Sequence, residues 1–381
     1  MSVQTEQKPQ SGSSAAVTKH TLRAGQPPTW LIPAVAIGAL VVAAGLALLL
    51  WEGFNLAGWV VLAAILYVVG HYIAVRVISN RRKATDLLWR NVVWLAFGLA
   101  LVPLVWILWT VTSVGLQALT SPGFLTNDMV GIRAAADQAF MQDGESLAGG
   151  IAHALVGTLM ITLAATVISV PVGLMTSIYL VEYSRGGLFS RVITFLVDVM
   201  TGIPSIVAGL FAAAVMIQIM GPRDYMMGFT AAIALTVLMI PVVVRSTEEM
   251  LRVVPNELRE ASYALGVRKW RTILKVVIPT SISGIAAGVT IAIARVAGET
   301  APILVTAGFV TRVNWDIFNG WMTALPVYIY RQFMHPTAPA FADASLIRAW
   351  GGALVLIIIV MALNLLSRVI AKAFAPKKTG R

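Results

Sequence analysis

The stretch Pro255-Asn-Glu-Leu-Arg-Glu-Ala-Ser-Tyr-Ala-Leu-Gly-Val-Arg-Lys-Trp-Arg-Thr-Ile-Leu-Lys-Val-Val-Ile-Pro279 is a charged island in an overwhelmingly apolar chain. Leu258, Ala261, Ser262 and Leu265 recur at i, i+3, i+4 and i+7, one face of a helix. Pro255 suits the first helical turn and Gly266 the residue just past its end. A second basic segment from Arg268 to Lys275 leads into Pro279 and a new apolar run. Two short helices that meet at a glycine and lie against a membrane suit a docking surface for another molecule. An ordinary basic cytoplasmic loop has the same pattern.

What surrounds the island decides the fold class. Of the 381 residues, 58% are hydrophobic and 12% charged, a ratio no water-soluble domain of this length needs. The chain is therefore expected to be an all-α, polytopic transmembrane helical bundle. Eight apolar runs are long enough to span, at roughly residues 30–51, 54–75, 92–116, 151–180, 192–220, 227–244, 283–306 and 349–370. The fourth and fifth are longer than a bilayer requires and must tilt or bend, with Pro171 and Pro204 as bending points. Residues 1–29, rich in Ser, Gln and Thr, read as a disordered tail.

Charge sets the expected orientation. With the amino terminus inside, 22 of the 28 Lys and Arg residues fall in cytoplasmic segments, five fall outside, and Arg295 lies within a span. Both termini and residues 255–279 are then cytoplasmic. The outside segments over 117–150 and 307–348 are long. The first carries Asp128, Asp137, Asp143 and Glu145; the second is aromatic and suits either an interfacial belt or the docking of an outside partner. The net charge of +11 reflects basic loops at an anionic leaflet rather than nucleic-acid binding. There is no cysteine, so no disulfide and no thiolate metal site, and the four histidines lack metal-ligand spacing. No cofactor is expected.

Ionisable groups inside a membrane are costly and point to function. Arg295 and Glu299 stand at i and i+4 in Ala-Arg-Val-Ala-Gly-Glu-Thr-Ala-Pro, so on one continuous helix they would share a face. The arginine can neutralise and fork onto an oxyanion, and the carboxylate can accept a proton-bearing oxygen of it. A structural ion pair that fixes helix packing is the alternative. Gly298 would let a neighbour approach, and Pro302 would free a carbonyl. Asp198 lies two turns into the fifth span, ahead of Thr201-Gly202-Ile203-Pro204-Ser205. Pro204 breaks the backbone ladder there, as in helices that line transport paths. A simple kink with Asp198 reaching the interface fits equally well. The chain holds no phosphate-binding G-x-x-x-x-G-K-[ST] loop, no G-x-S-x-G and no H-E-x-x-H, so it is not expected to be an enzyme. Any ATP-driven motor must be another chain.

Glu260-Ala261-Ser262, then Gly266, then Val276-Val277-Ile278-Pro279, resembles the EAA loop of binding-protein-dependent ABC importer permeases, with Ser262, Val276 and Ile278 as small or apolar replacements. The segments 178–183, 202–209 and 295–302 are similar to phosphate importer permeases. The Gly298–Pro302 run with 322–330 resembles the PstA branch rather than PstC. The resemblance covers about residues 92–370. It implies a six-span type I permease domain over 91–371 with its coupling loop at 245–279, two extra amino-terminal spans over 30–90, and a basic tail over 372–381. It also implies an inner-membrane location, a second permease subunit, an ATPase dimer and an extracytoplasmic phosphate-binding protein as partners. Glu257, Glu260, Ala261, Ser262 and Gly266 would contact the ATPase, and Arg295, Glu299, Asp198, Pro204 and Ser205 would line the path. Other readings are a permease for sulfate, molybdate or phosphonate, or an ion-coupled secondary transporter.

Overall fold

The computed structural model describes residue 28 and residues 30–50, 55–184 and 186–373. Nearly all of the expected amino-terminal tail, and residues 374–381 of the basic tail, lie outside them. Backbone polar groups in lipid must be paired within the segment, so long apolar runs form helices. Among the described residues there is no strand.

In chain order the helices are α1 (Leu31–Leu50), α2 (Leu56–Ile78), α3 (Arg81–Thr120), α4 (Ala134–Gln138) and α5 (Ala152–Ile178), the last continued by a π-helical turn over Tyr179–Tyr183. Then come α6 (Leu188–Thr201), α7 (Ser205–Met220), α8 (Gly228–Val253), α9 (Asn256–Ala264) and α10 (Lys269–Thr272). A second π-helical turn, Ile273–Val277, leads into α11 (Ile278–Ala297), followed by α12 (Ala301–Thr306), α13 (Leu325–Met334) and α14 (Ala342–Ala373). Among the described residues seven helices are long and apolar enough to cross a membrane, and the α6–α7 pair makes an eighth if counted as one span.

Two expected spans are not single helices. The run over 192–220 is α6 and α7, bent by 111° at a break after Thr201. Gly202 and Ile203 close the end of α6 with backbone bonds to Val199 and Met200, and Pro204, which has no N–H to continue the ladder, caps α7. The run over 283–306 stops at Ala297 and restarts at Ala301 as α12. Pro171, by contrast, lies inside an uninterrupted α5.

By its internal packing the chain divides into residues 1–107 and 108–381. In the first unit α1 and α2 form a hairpin whose seam is small: Ala39, Ala43, Ala47 and Ala63 are buried, which lets the backbones approach. Trp59 Nε1 donates to the Leu40 carbonyl at 3.0 Å. A cluster of Leu31, Val75 and Ala84, with Val35, Tyr72 and Leu87 against it, joins the start of α3 to this hairpin.

In the second unit α8 is the central helix. It packs along α5 and also against α7, α11 and α12, while α14 packs on α11 and α13. Ile161, Leu235, Met239, Val243, Val296 and Ile303 form the core between them. A second core holds Phe124, Leu147, Ile151, Leu325 and Tyr328, so part of the aromatic segment over 307–348 is interior rather than a belt. Trp315, Phe318 and Trp321 of that segment are exposed.

Candidate functional site

The helices that follow the two breaks meet. α7, which follows the first, packs on α12, which follows the second. A Cβ placed at Gly209 would lie 2.7 Å from Pro302 Cα and 2.8 Å from Val305 Cγ2, so only glycine admits this approach. The close approach expected at Gly298 is found at Gly209 instead; the nearest atom to a Cβ at Gly298 is the Arg295 carbonyl oxygen, at 3.7 Å.

Arg295 is exposed in the last turn of α11. Glu299 is half-buried in the three-residue gap before α12, its N–H bonded to the Val296 carbonyl at 3.2 Å. The shared helix face is thus not formed, because the helix ends between the two residues. Neither side chain makes an ion pair or hydrogen bond among the described residues, so the pair is not a packing bridge. Ser205 is half-buried at the first residue of α7 and Pro204 is exposed before it.

Asp198 reaches the surface. Its side chain is 59% exposed and pairs with Arg245 of α8. Arg245 also bonds Glu248 at 2.9 Å, and Glu248 bonds Arg252 at 2.6 Å, so four charges alternate across the ends of α6 and α8. Asp198, Glu248 and Arg252 border a hollow of about 360 Å³ together with Arg191 and Thr194.

The coupling stretch folds as a helical hairpin. α9 ends at Ala264 with Leu265 as its cap, and Gly266 takes φ +73°, the left-handed turn that closes helices and that residues with a Cβ resist. Pro255 is the residue before the first turn rather than in it. Ser262 is buried and its hydroxyl shares a 2.8 Å hydrogen bond with Thr272 Oγ1, which ties α9 to α10. The residue is thus a fastening within the hairpin rather than part of its outer surface. Glu257, Glu260 and Ala261 are exposed, as are Leu258, Trp270 and Leu265, the last 83% exposed. An apolar face turned outward in this way is built to be covered.

The hairpin is mounted on an arginine, Arg259, whose side chain is 12% exposed. Arg259 Nη2 donates to Glu182 Oε1 at 2.8 Å, Nε to the same oxygen at 3.0 Å, and Nη2 to the Leu251 carbonyl at 2.9 Å. One guanidinium therefore joins α9 to the end of α8 and to the π-helical turn after α5. The Glu182 side chain is 4% exposed. Its partner lies 77 residues away, and nothing local in the sequence reports the pairing. A second hidden pair, Arg348 with Asp137, is fully buried, and Arg348 Nε also donates to the Ala148 carbonyl at 2.9 Å. Both residues had been read as parts of outside segments.

A polytopic helical bundle with broken spans and an exposed helical hairpin has the architecture of a membrane transport subunit. The chain belongs to the family described as binding-protein-dependent transport system inner membrane component, whose model matches residues 169–380, and within it to the PstA phosphate transport permeases. The phosphate transport system permease protein PstA 1 of Mycobacterium tuberculosis (strain CDC 1551 / Oshkosh) is 45% identical over 295 residues, 77% of this chain and 91% of that protein. The PstA protein of Mycobacterium leprae (strain TN) is 45% identical over 77% of this chain and 90% of its own length. That of Yersinia pestis is 37% identical over 79% and 95%. The chain is accordingly a multi-pass inner-membrane transport subunit, not an enzyme, and its family works with a separate ATPase and a substrate-binding protein.

Proposed function

We propose that this chain forms half of the translocation path of an ATP-driven importer of inorganic phosphate. The observation that carries the reading is its 45% identity, over 77% of its length, to proteins named as phosphate transport permeases. The partners are a PstC-like second permease, two ATPase subunits inside and a phosphate-binding protein outside. Both termini are cytoplasmic, in keeping with the charge bias of the loops. The permease domain covers residues 91–371, and the two spans between 30 and 90 are an addition to it.

Coupling is mechanical. ATP-driven closure of the ATPases moves α9 through Glu257, Glu260, Ala261 and the exposed Leu258 and Leu265. Arg259 passes the movement to α5 and α8, and the spans alternate between inward and outward access. Along the path, Arg295 offsets the charge of the anion and Glu299 accepts a proton-bearing oxygen. Both are free of partners within the described chain, which leaves them available to a ligand. A carboxylate tolerates protonated phosphate better than fully ionised sulfate, which separates phosphate from the other oxyanions.

The test is uptake of radiolabelled phosphate into membranes of known subunit content, with sulfate and arsenate as competitors. Arsenate should compete and sulfate should not; equal competition by sulfate overturns the selectivity. Arg295→Ala and Glu299→Gln should abolish uptake in an assembled complex. Normal uptake in either variant removes that residue from the path.

A further inference from the structure

The first unit contains an apolar cleft of about 660 Å³, lined by α1, α2 and α3 at Leu40, Ala63, Tyr67, Arg90, Asn91 and Trp94. It is a wedge. At one end the start of α3 is held to the hairpin by the Leu31–Val75–Ala84 cluster and by a 2.9 Å hydrogen bond between Asn91 Nδ2 and His71 Nδ1. Beyond that point α3 leaves the hairpin, and Trp94, Leu99 and Val102 are exposed.

Arg90 stands at the narrow end. Its guanidinium makes no hydrogen bond or ion pair among the described residues. It is also the last charge on α3: Arg81, Arg82, Lys83, Asp86 and Arg90 fall within the first ten residues, and residues 91–120 hold none. α3 has 40 residues, so it is about 60 Å long against an apolar membrane core of about 30 Å. The first ten residues therefore lie at headgroup depth, and Arg90 marks the boundary where lipid phosphates sit. The cleft runs from that boundary into the acyl region.

We infer that this cleft binds one anionic phospholipid, with its phosphate on Arg90 and an acyl chain against Leu40, Ala63 and Trp94. The charge supports this occupant, since Arg90 has no ion pair among the described residues and the first ten residues of α3 carry four cations against the single acid Asp86, a balance that attracts an anionic headgroup. The size supports it as well. A helix about 10 Å wide fills roughly 400 Å³ per 5.4 Å turn, so the cleft has room for between one and two turns of a partner's span. A flexible chain fits it along its length. The site lies in whichever leaflet holds the Arg81 end of α3, the cytoplasmic one under the orientation proposed above.

The assembled transporter in vesicles of equal phosphatidylglycerol and phosphatidylcholine tests the site, using photoactivatable acyl-chain analogues of each lipid followed by peptide mapping. The phosphatidylglycerol analogue should label the peptides of Leu40 and Trp94 several-fold more than the phosphatidylcholine analogue. Arg90→Gln should remove that preference, Arg90→Lys should keep most of it, and Ala64→Leu, which narrows the cleft, should lower labelling by both lipids. Equal labelling in the unmodified protein, or a preference untouched by Arg90→Gln, overturns the assignment. So does a benzophenone at Leu95 that captures a partner subunit instead of lipid. Phosphate uptake, measured in the same vesicles, reports separately on the transport function.

Discussion

Gly209 of α7 lies directly against Pro302 of α12, so the helices that follow the two broken spans are in contact. Valine at position 209 would force its Cβ to within 2.7 Å of Pro302 Cα, where backbone and not a flexible side chain must yield. Gly209→Val should destabilise the purified complex by about 1–3 kcal/mol, the usual cost of overpacking, and Gly209→Ala by less. Thermal unfolding and phosphate uptake measured together check this. Full stability in the valine variant would show that α7 and α12 separate at no cost.

The Arg259–Glu182 bridge predicts a non-additive cycle. Removing one partner strands a buried charge, so Arg259→Ala or Glu182→Leu alone should cost about 3–5 kcal/mol. The double variant Arg259→Met with Glu182→Leu should recover much of that stability. It should still fail to couple ATP hydrolysis to uptake, because the link from α9 to α5 is gone. Equal stability in all the variants would remove the bridge from the coupling route.

On the hairpin itself, stability and docking separate. Leu265→Glu alters an exposed side chain and should shift stability by no more than about 0.5 kcal/mol, yet weaken co-purification of the ATPase. Ser262→Ala should do the reverse, losing about 1 kcal/mol with its bond to Thr272 and leaving ATPase binding nearly intact. A Leu265→Glu complex that assembles at unchanged affinity would place the ATPase contact elsewhere.

Asp198 offers a contrast with the buried pairs. It is exposed, and an exposed ion pair contributes at most about 1 kcal/mol. Asp198→Asn should therefore leave stability nearly unchanged and lower phosphate uptake no more than a few-fold. Complete loss of uptake with normal assembly would place this carboxylate on the path.

Tyr328 carries a prediction in alkali. Its ring is buried and packs edge-on against His153 at 5.4 Å, and its hydroxyl has no hydrogen-bond partner among the described residues. Burial raises the pKa of the phenol above its ordinary range, while Arg348 acts in the opposite sense. The native state thus favours the protonated phenol. That contribution is complete below about pH 10, where the unfolded phenol titrates, and is lost as pH rises toward the folded value. Tyr328→Phe should be as stable as the parent at pH 8 and more stable above pH 10, in thermal unfolding scans at the two values.

Much of this was legible in the sequence because the membrane simplifies the reading. Apolar runs located the spans, and the glycine of the coupling loop showed where α9 ends, since its φ of +73° is one that a side chain resists. Pro204 announced a break, but not that it would reach 111° and divide the span in two. Arg295 and Glu299 were misplaced relative to each other because a four-residue spacing says nothing when the helix ends within it. The pairs Glu182–Arg259 and Asp137–Arg348 were invisible for a different reason. Their members are 77 and 211 residues apart, and only the packing of α5, α8 and the outer segments brings them together.

Those separations also impose an order on biosynthesis. A ribosome adds roughly 5–20 residues per second, so Glu182 waits about 4–15 s before Arg259 exists, and Asp137 waits about 10–40 s for Arg348. In both pairs the acid is made first and the arginine last. During that interval each carboxylate lacks the arginine that it is buried against in the finished fold. The arginine that arrives later finishes a bundle whose earlier helices are already in the membrane.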